Sequence, residues 1–273
     1  APSQVSTAQL VNELIREAQE HTLHFPYAPS LPEDKLAPAV APQASLEAKI
    51  GQMLLVGFRG RSIAENSQIA RDILEHHIGS VVLFEYNTER STLAPRQISA
   101  LTTKLQELSS IPLFIAIDQE GGRVNRLSEA YGFPPTVSAA YLGVINDPGE
   151  TYNYAEATAE TLASLGINLN LAPVVDLNTN PSNPIIARYE RSYSADPETV
   201  VRHAATFVDA HHAQNVLCTL KHFPGHGSSL GDSHYGFVDV TDTWNVTELV
   251  PYLKLLAEDK ADVIMTAHIF NAN

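Results

Sequence analysis

The 273-residue sequence holds one cysteine, two methionines and one tryptophan, and only 17 basic residues against 31 acidic ones. A single thiol can form neither an internal disulfide nor a cysteine-rich zinc site. Cys218 lies in the apolar run from Val216 to Leu220 and reads as a buried strand residue rather than a nucleophile. The shortage of cations leaves a formal net charge of −14. A surface this acidic repels phosphate backbones, so nucleic acid is not an expected partner. No apolar run reaches the ~18 residues of a spanning helix, so no membrane span is expected. What is present is ordinary for a globular chain: 44% hydrophobic and 18% charged residues. The length suits one large α/β domain or two small ones.

Residues 1–48 differ from the rest. The opening Ala1-Pro2-Ser3-Gln4 suits a processed secreted or periplasmic protein and equally a trimmed chain; export is the reading preferred, and the compartment is otherwise open. Between Thr7 and His21 the spacing of Leu10, Val11, Leu14, Ile15 and Ala18 predicts a helix. Pro26, Pro29, Pro32, Pro38 and Pro42 then break regular structure, which predicts an extended arm against the main domain.

From residue 49 short apolar runs alternate with helical segments. The runs are Met53 to Phe58, Val81 to Phe84, Leu113 to Asp118, Leu169 to Asp176, Val216 to His222 and Val263 to His268. The intervening helices are expected at 63–77, 95–108, 150–165, 197–214 and 247–258, with Gly166 closing the third. Strand–helix alternation predicts a parallel sheet, and near-continuous apolar runs predict strands covered on both faces. Six such units suit either an open doubly wound sheet or the first six of eight in a TIM-type (β/α) barrel. No G-x-G-x-x-G follows the first run, which disfavours a dinucleotide-binding sheet.

The polar residues at the ends of the runs favour the barrel. Runs three to six finish in Asp118, Asp176, Lys221-His222 and His268. In a barrel these C-terminal ends converge on one mouth, where catalytic groups gather; in an open sheet they spread along an edge. The densest stretch is Lys221-His222-Phe223-Pro224-Gly225-His226-Gly227, followed by Asp232-Ser233-His234. Proline and glycine disfavour a helix there, so His222 and His226 are not expected on one helical face and a helical zinc site is weak. Asp232 and His234 leave two readings: a solvated loop, or a carboxylate that orients an imidazole for proton transfer.

The Lys221–Gly227 stretch with its trailing Asp232-Ser-His234 resembles the signature of the β-N-acetylglucosaminidase branch of glycoside hydrolase family 3. Ile117 to Arg126, Asn170 to Asp176, Arg188 to Asp196 and Gly51-Gln52-Met53 are similar to further segments of that family, in family order. The resemblance implies a TIM-like barrel, no cofactor and no metal, and an oligosaccharide substrate that ends in β-linked N-acetylglucosamine, from peptidoglycan fragments or chitin oligomers. It implies that Asp118 binds sugar hydroxyls, joined by Arg126, Arg191, Lys221 and His222 as gripping cations, with Arg123 a further candidate. It also implies that His234, oriented by Asp232, is the general acid/base of a retaining glycosidase.

The nucleophilic aspartate of the family follows the seventh strand, beyond the position that matches Asn273. The expectation is therefore that a following segment, or a second chain, completes the barrel and supplies it; Asp239 and Asp242 are poor substitutes. Two rival readings remain. A metal-dependent barrel hydrolase would use Lys221, His222, His268 and Asp176, but the first run carries no His-x-His pair. A degenerate barrel that binds amino sugars without cleaving them has no need of the Asp232–His234 pair.

Overall fold

A computed structural model describes residues 44–272. The expected helix at 7–21 and the proline-rich arm at 22–43 lie outside the described residues. Helix α1 (Leu46–Gln52) starts inside the stretch assigned to the arm, with the Ser45 side chain accepting from the Ala48 N–H at its N-terminus. Then follow β1 (Leu55–Gly57), α2 (Gln68–His76), β2 (Ser80–Leu83), α3 (Ala94–Leu108) and β3 (Phe114–Ile117). A small hairpin of β4 (Gln119–Gly121) and β5 (Val124–Asn125) comes next, and then α4 (Ala139–Ile145) and α5 (Pro148–Ser164). The chain continues with β6 (Leu169–Asn170), α6 (Pro197–His212), β7 (Leu217–Phe223), α7 (Val250–Ala257) and β8 (Val263–Thr266).

Local chemistry sets several of these boundaries. Asp-Pro pairs open α5 and α6: Asp147 and Asp196 accept from the N–H groups of Gly149 and Thr199, and the proline that follows has no N–H to leave unpaired. The helix expected at 63–77 begins only at Gln68, because Ser67 caps it through the Ala70 N–H. The run Leu169 to Asp176 forms a ladder over two residues only. Pro173 has no N–H to give, and pairing with β7 resumes as a single bridge between Val174 and Lys221.

Six strands, β1-β2-β3-β6-β7-β8, make one parallel sheet whose spatial order follows chain order. A doubly wound sheet reverses direction at a switch point; this one never does. Each strand adds on the same side, as in a (β/α) barrel, and six of the eight strands of that architecture are present. Side chains alternate with the pleat. Val81, Leu83, Ile115 and Ile117 pack outward with helix residues such as Ile98, Leu101 and Leu162, whereas Val82, Ala116, Leu169 and Leu217 pack together on the inner side. The end strands are different: Leu55 in β1 and Val263 and Ile264 in β8 are exposed, as residues at the two open edges of a curled sheet should be. Among the described residues no helix is long and apolar enough to cross a membrane.

Candidate active site

The C-terminal ends of β3 and β7, the hairpin after β3 and the connection from β6 to α6 bring six ionisable groups into one connected array. Lys221 is 1% exposed, and its ammonium lies 2.8 Å from Asp118 Oδ1 and 2.7 Å from Glu120 Oε1. Glu120 also takes two hydrogen bonds from the Arg191 guanidinium, at 2.8 Å from Nε and 2.7 Å from Nη2. Arg191 Nη2 is 3.1 Å from His222 Nε2, and His222 Nδ1 is 2.7 Å from Asp176 Oδ2. Buried charges persist only when paired, and here carboxylates and cations alternate through the array.

The protonation states follow from these contacts. Burial opposes the Glu120 charge, but Lys221 and Arg191 outweigh it and hold its carboxyl down at about 2. Asp176 is likewise held low against burial by His222 and by the N–H groups of His226 and His222. Burial pushes His222 down, helped by Arg191 and Lys221 and opposed by Asp176. His222 is therefore a neutral imidazole, not one of the gripping cations of the sequence-based expectation. Its Nδ1–H donates to Asp176, and its Nε2 lone pair accepts from Arg191.

At the rim Arg126 joins the array, with Nη1 2.7 Å from Glu85 and Nη2 3.8 Å from Asp118 Oδ2. Arg123 is mostly exposed and faces Glu190 at 3.6 Å. On the loop after β7, Asp232 Oδ1 accepts from the His234 backbone N–H at 2.9 Å and from its ring Nδ1 at 2.7 Å. These two hydrogen bonds hold the Asp232 carboxyl low against its partial burial. With Nδ1 carrying the proton that Asp232 accepts, Nε2 is left for proton exchange. The His234 side chain is 70% exposed.

One cavity of about 780 Å³ takes its lining from Asp118, Arg123, Arg126, Arg191, Lys221 and His222, and also from Asp232 and His234. All eight residues singled out in the sequence thus meet at one mouth. His226 stands at its edge, in the non-helical turn expected there: its backbone N–H donates to Asp176, and its ring nitrogens lie 2.7 Å from Ser229 Oγ and 3.2 Å from Ser233 Oγ. Sequence reasoning gave no role to Glu120, and to Asp176 only a place at a strand end and in the rival metal site. A signal for Glu120 existed: a lysine that directly follows the apolar run Leu217 to Leu220 needs a carboxylate at a neighbouring strand end. Among the described residues no group of three His, Cys, Asp or Glu side chains is placed to hold a metal ion.

The sequence and fold have counterparts among known proteins. The family model described as the glycosyl hydrolase family 3 N-terminal domain matches residues 45–273. The chain is 39% identical over 212 residues to β-hexosaminidase A of Pseudoalteromonas piscicida, covering 74% of this chain and 34% of that protein. It is 35% identical over 228 residues to a β-hexosaminidase of Xylella fastidiosa (strain M23), covering 81% and 65% respectively. A family 3 β-N-acetylglucosaminidase structure from Paenibacillus sp. str. FPU-7 superposes with a TM-score of 0.75 at 34% identity, over 84% of this chain and 43% of that one. NagZ from Neisseria gonorrhoeae, in complex with N-trifluoroacetyl-D-glucosamine, gives 0.71 at 27% identity, over 80% and 64%. The chain thus spans between about a third and two thirds of the length of these relatives.

Proposed function

The chain belongs to glycosyl hydrolase family 3, and from that membership we propose that it forms the sugar-binding and proton-transfer part of a retaining β-N-acetylhexosaminidase. The substrate is an oligosaccharide of peptidoglycan or chitin type, and the bond cleaved links its terminal, non-reducing β-N-acetylglucosamine. The observation that carries this reading is the Asp232–His234 pair standing over a cavity lined by a paired carboxylate–cation array. A pocket that only binds sugar needs the array and not the pair. The names of the relatives and the N-trifluoroacetyl-D-glucosamine bound to one of them support the choice of sugar.

In this mechanism Asp118, Arg126, Arg191 and Lys221 hold the hydroxyls of the terminal sugar, Asp118 as acceptor and the cations as donors. His222 orients Arg191, and Arg123 reaches the substrate from the rim. Protonated His234 gives its Nε2 proton to the leaving oxygen as an aspartate attacks the anomeric carbon. Asp232 stabilises the imidazolium before that transfer. In the second half-reaction neutral His234 takes a proton from water, which cleaves the glycosyl-enzyme. We assign the aspartate to a segment that would follow Asn273, or to a second chain, pairing with the open edges of β1 and β8. The partial coverage of the relatives supports that assignment.

The test is nitrophenol release from 4-nitrophenyl N-acetyl-β-glucosaminide by this chain and by the polypeptide extended past Asn273. Turnover is expected on extension, lost in His234→Ala and indifferent to chelator. Silence of the extended protein towards this sugar would overturn the reading, and loss of its activity on chelation would favour the metal-dependent rival.

A further inference from the structure

One buried carboxyl beside the site has no part in the chemistry above. Glu248 sits in the single turn Val246–Leu249 that leads into α7 and is 1% exposed. Its Oε2 accepts from the Gly227 N–H at 3.1 Å, and its Oε1 is buried with no hydrogen-bond partner. The phenol oxygen of Tyr252, one helical turn further on, is also buried and unpartnered. Close packing fixes the carboxyl against the histidine-bearing turn. At Gly225, with φ +123°, a Cβ would stand 2.6 Å from both the Cβ and Oε2 of Glu248. At Gly227 a Cβ would stand 1.6 Å from the Leu177 carbonyl oxygen. The turn is therefore clamped between Glu248 on one side and the backbone of Leu177 on the other, and only glycine fits at either contact.

What the turn carries is the link to the acid/base pair. Between the two glycines, His226 donates its N–H to Asp176, and its ring reaches Ser233 Oγ at 3.2 Å. Ser233 stands between Asp232 and His234 in the chain. We infer that Glu248 is a positioning residue for the acid/base loop, acting on His234 through the Gly225–Ser228 turn, His226 and Ser233. This inference rests on the reading of His234 as the acid/base.

Below a pH of about 7 the side chain is uncharged. The groups that act on it are Asp176 from the strand end and, from the turn, the Gly227 and Ser228 N–H groups and the Ser228 side chain; the unpartnered Tyr252 phenol lies on the helix that follows. Burial raises Glu248 to about 7; Ser228 opposes the rise and the Asp176 charge adds to it. Asp176 is the charged group of this set, and it repels a second carboxylate. Ionisation of Glu248 therefore puts two like charges on either side of one turn and displaces the histidine that it carries.

The experiment is a set of histidine-selective NMR spectra of the 273-residue chain without sugar, recorded from pH 5.5 to 8.5 for wild type, Glu248→Gln and Glu248→Ala. Glutamine keeps the shape and the neutral charge. At pH 5.5 the ring signals of His226 and His234 are expected to coincide in wild type and Glu248→Gln. They are expected to separate as the pH rises, with a midpoint near 7. Glu248→Ala is expected to move both sets of signals at every pH. Coincidence of wild type and Glu248→Gln across the whole range would overturn the inference, as would unmoved signals in a folded Glu248→Ala. If that variant fails to fold, the glutamine comparison still decides. Because the spectra need no substrate, expected spectra from a protein that neither binds nor cleaves the sugar would sink the proposed function and leave the coupling standing.

Discussion

The floor of the cavity and the loop above it are built on opposite principles. The floor is ion-paired and largely closed to solvent: Lys221, Arg191 and Glu120 reach one another through contacts of 2.7–2.8 Å. The loop carries the Asp232–His234 pair on a strap whose next residue, Tyr235, is 91% exposed. Groups that grip a substrate gain from rigidity, because their geometry is set before the sugar arrives. A group that must give a proton and take one back needs access to the leaving group and then to water. Two buried glutamates mark the border between these regions. Glu120 has two cations against it and stays charged; burial, with the Asp176 carboxylate adding to it, raises Glu248 to about 7, so that it keeps its proton below that pH.

If the floor is structural as well as functional, Glu120→Ala is the most damaging single change. It leaves Lys221 and Arg191 buried without their shared carboxylate, and breaking a buried pair from one side costs about 3–5 kcal/mol. Urea unfolding of variant and wild type measures this, and a loss below about 1 kcal/mol would break the contrast with the loop. The two glutamates also predict opposite pH limbs. Glu120 is depressed, so its contribution is full above the unfolded value near 4.5 and is lost as the pH falls towards 2. Glu248 is raised, so the folded state keeps a proton that the unfolded chain has released, and stability falls as the pH climbs from about 4.5 to 7. Thermal unfolding followed against pH should show both limbs. Glu248→Gln should flatten the second and spare the first; a second limb unchanged in that variant would mean that another group titrates there.

The sequence made the floor easier to read than its wiring. Lys221, His222 and Asp118 each end an apolar run, and strand periodicity alone brings such positions to one mouth. Glu120 is different: it lies past the strand, in a hairpin of β4 and β5 whose segments are three and two residues long, too short for any periodic signal. Helix α4 was missed for a related reason, being seven residues with Leu142 its one buried side chain. The length of run four was overstated because apolar character persists through Leu171 to Val175 while Pro173 interrupts the hydrogen bonding. The neutral state of His222 was not legible at all. It depends on burial between Asp176 and Arg191, which come from two other segments of the chain.

The smallest effect on the fold should come from the residue with the greatest effect on turnover. The His234 side chain is 70% exposed, and among the described residues its hydrogen bonds join it only to Asp232, two residues away. Truncating such a side chain changes stability by no more than about 0.5 kcal/mol, so urea midpoints of His234→Ala and wild type should coincide. Affinity for N-acetylglucosamine should also survive, because the floor proposed to grip the sugar is untouched. Turnover by the extended polypeptide should nevertheless fall by roughly 10²–10⁴, the usual contribution of a positioned general acid/base. Calorimetric binding set beside steady-state rates separates these quantities. A variant that loses affinity in step with rate would show that His234 holds the sugar instead of moving a proton, and the division between gripping floor and proton-transferring loop would have to be redrawn.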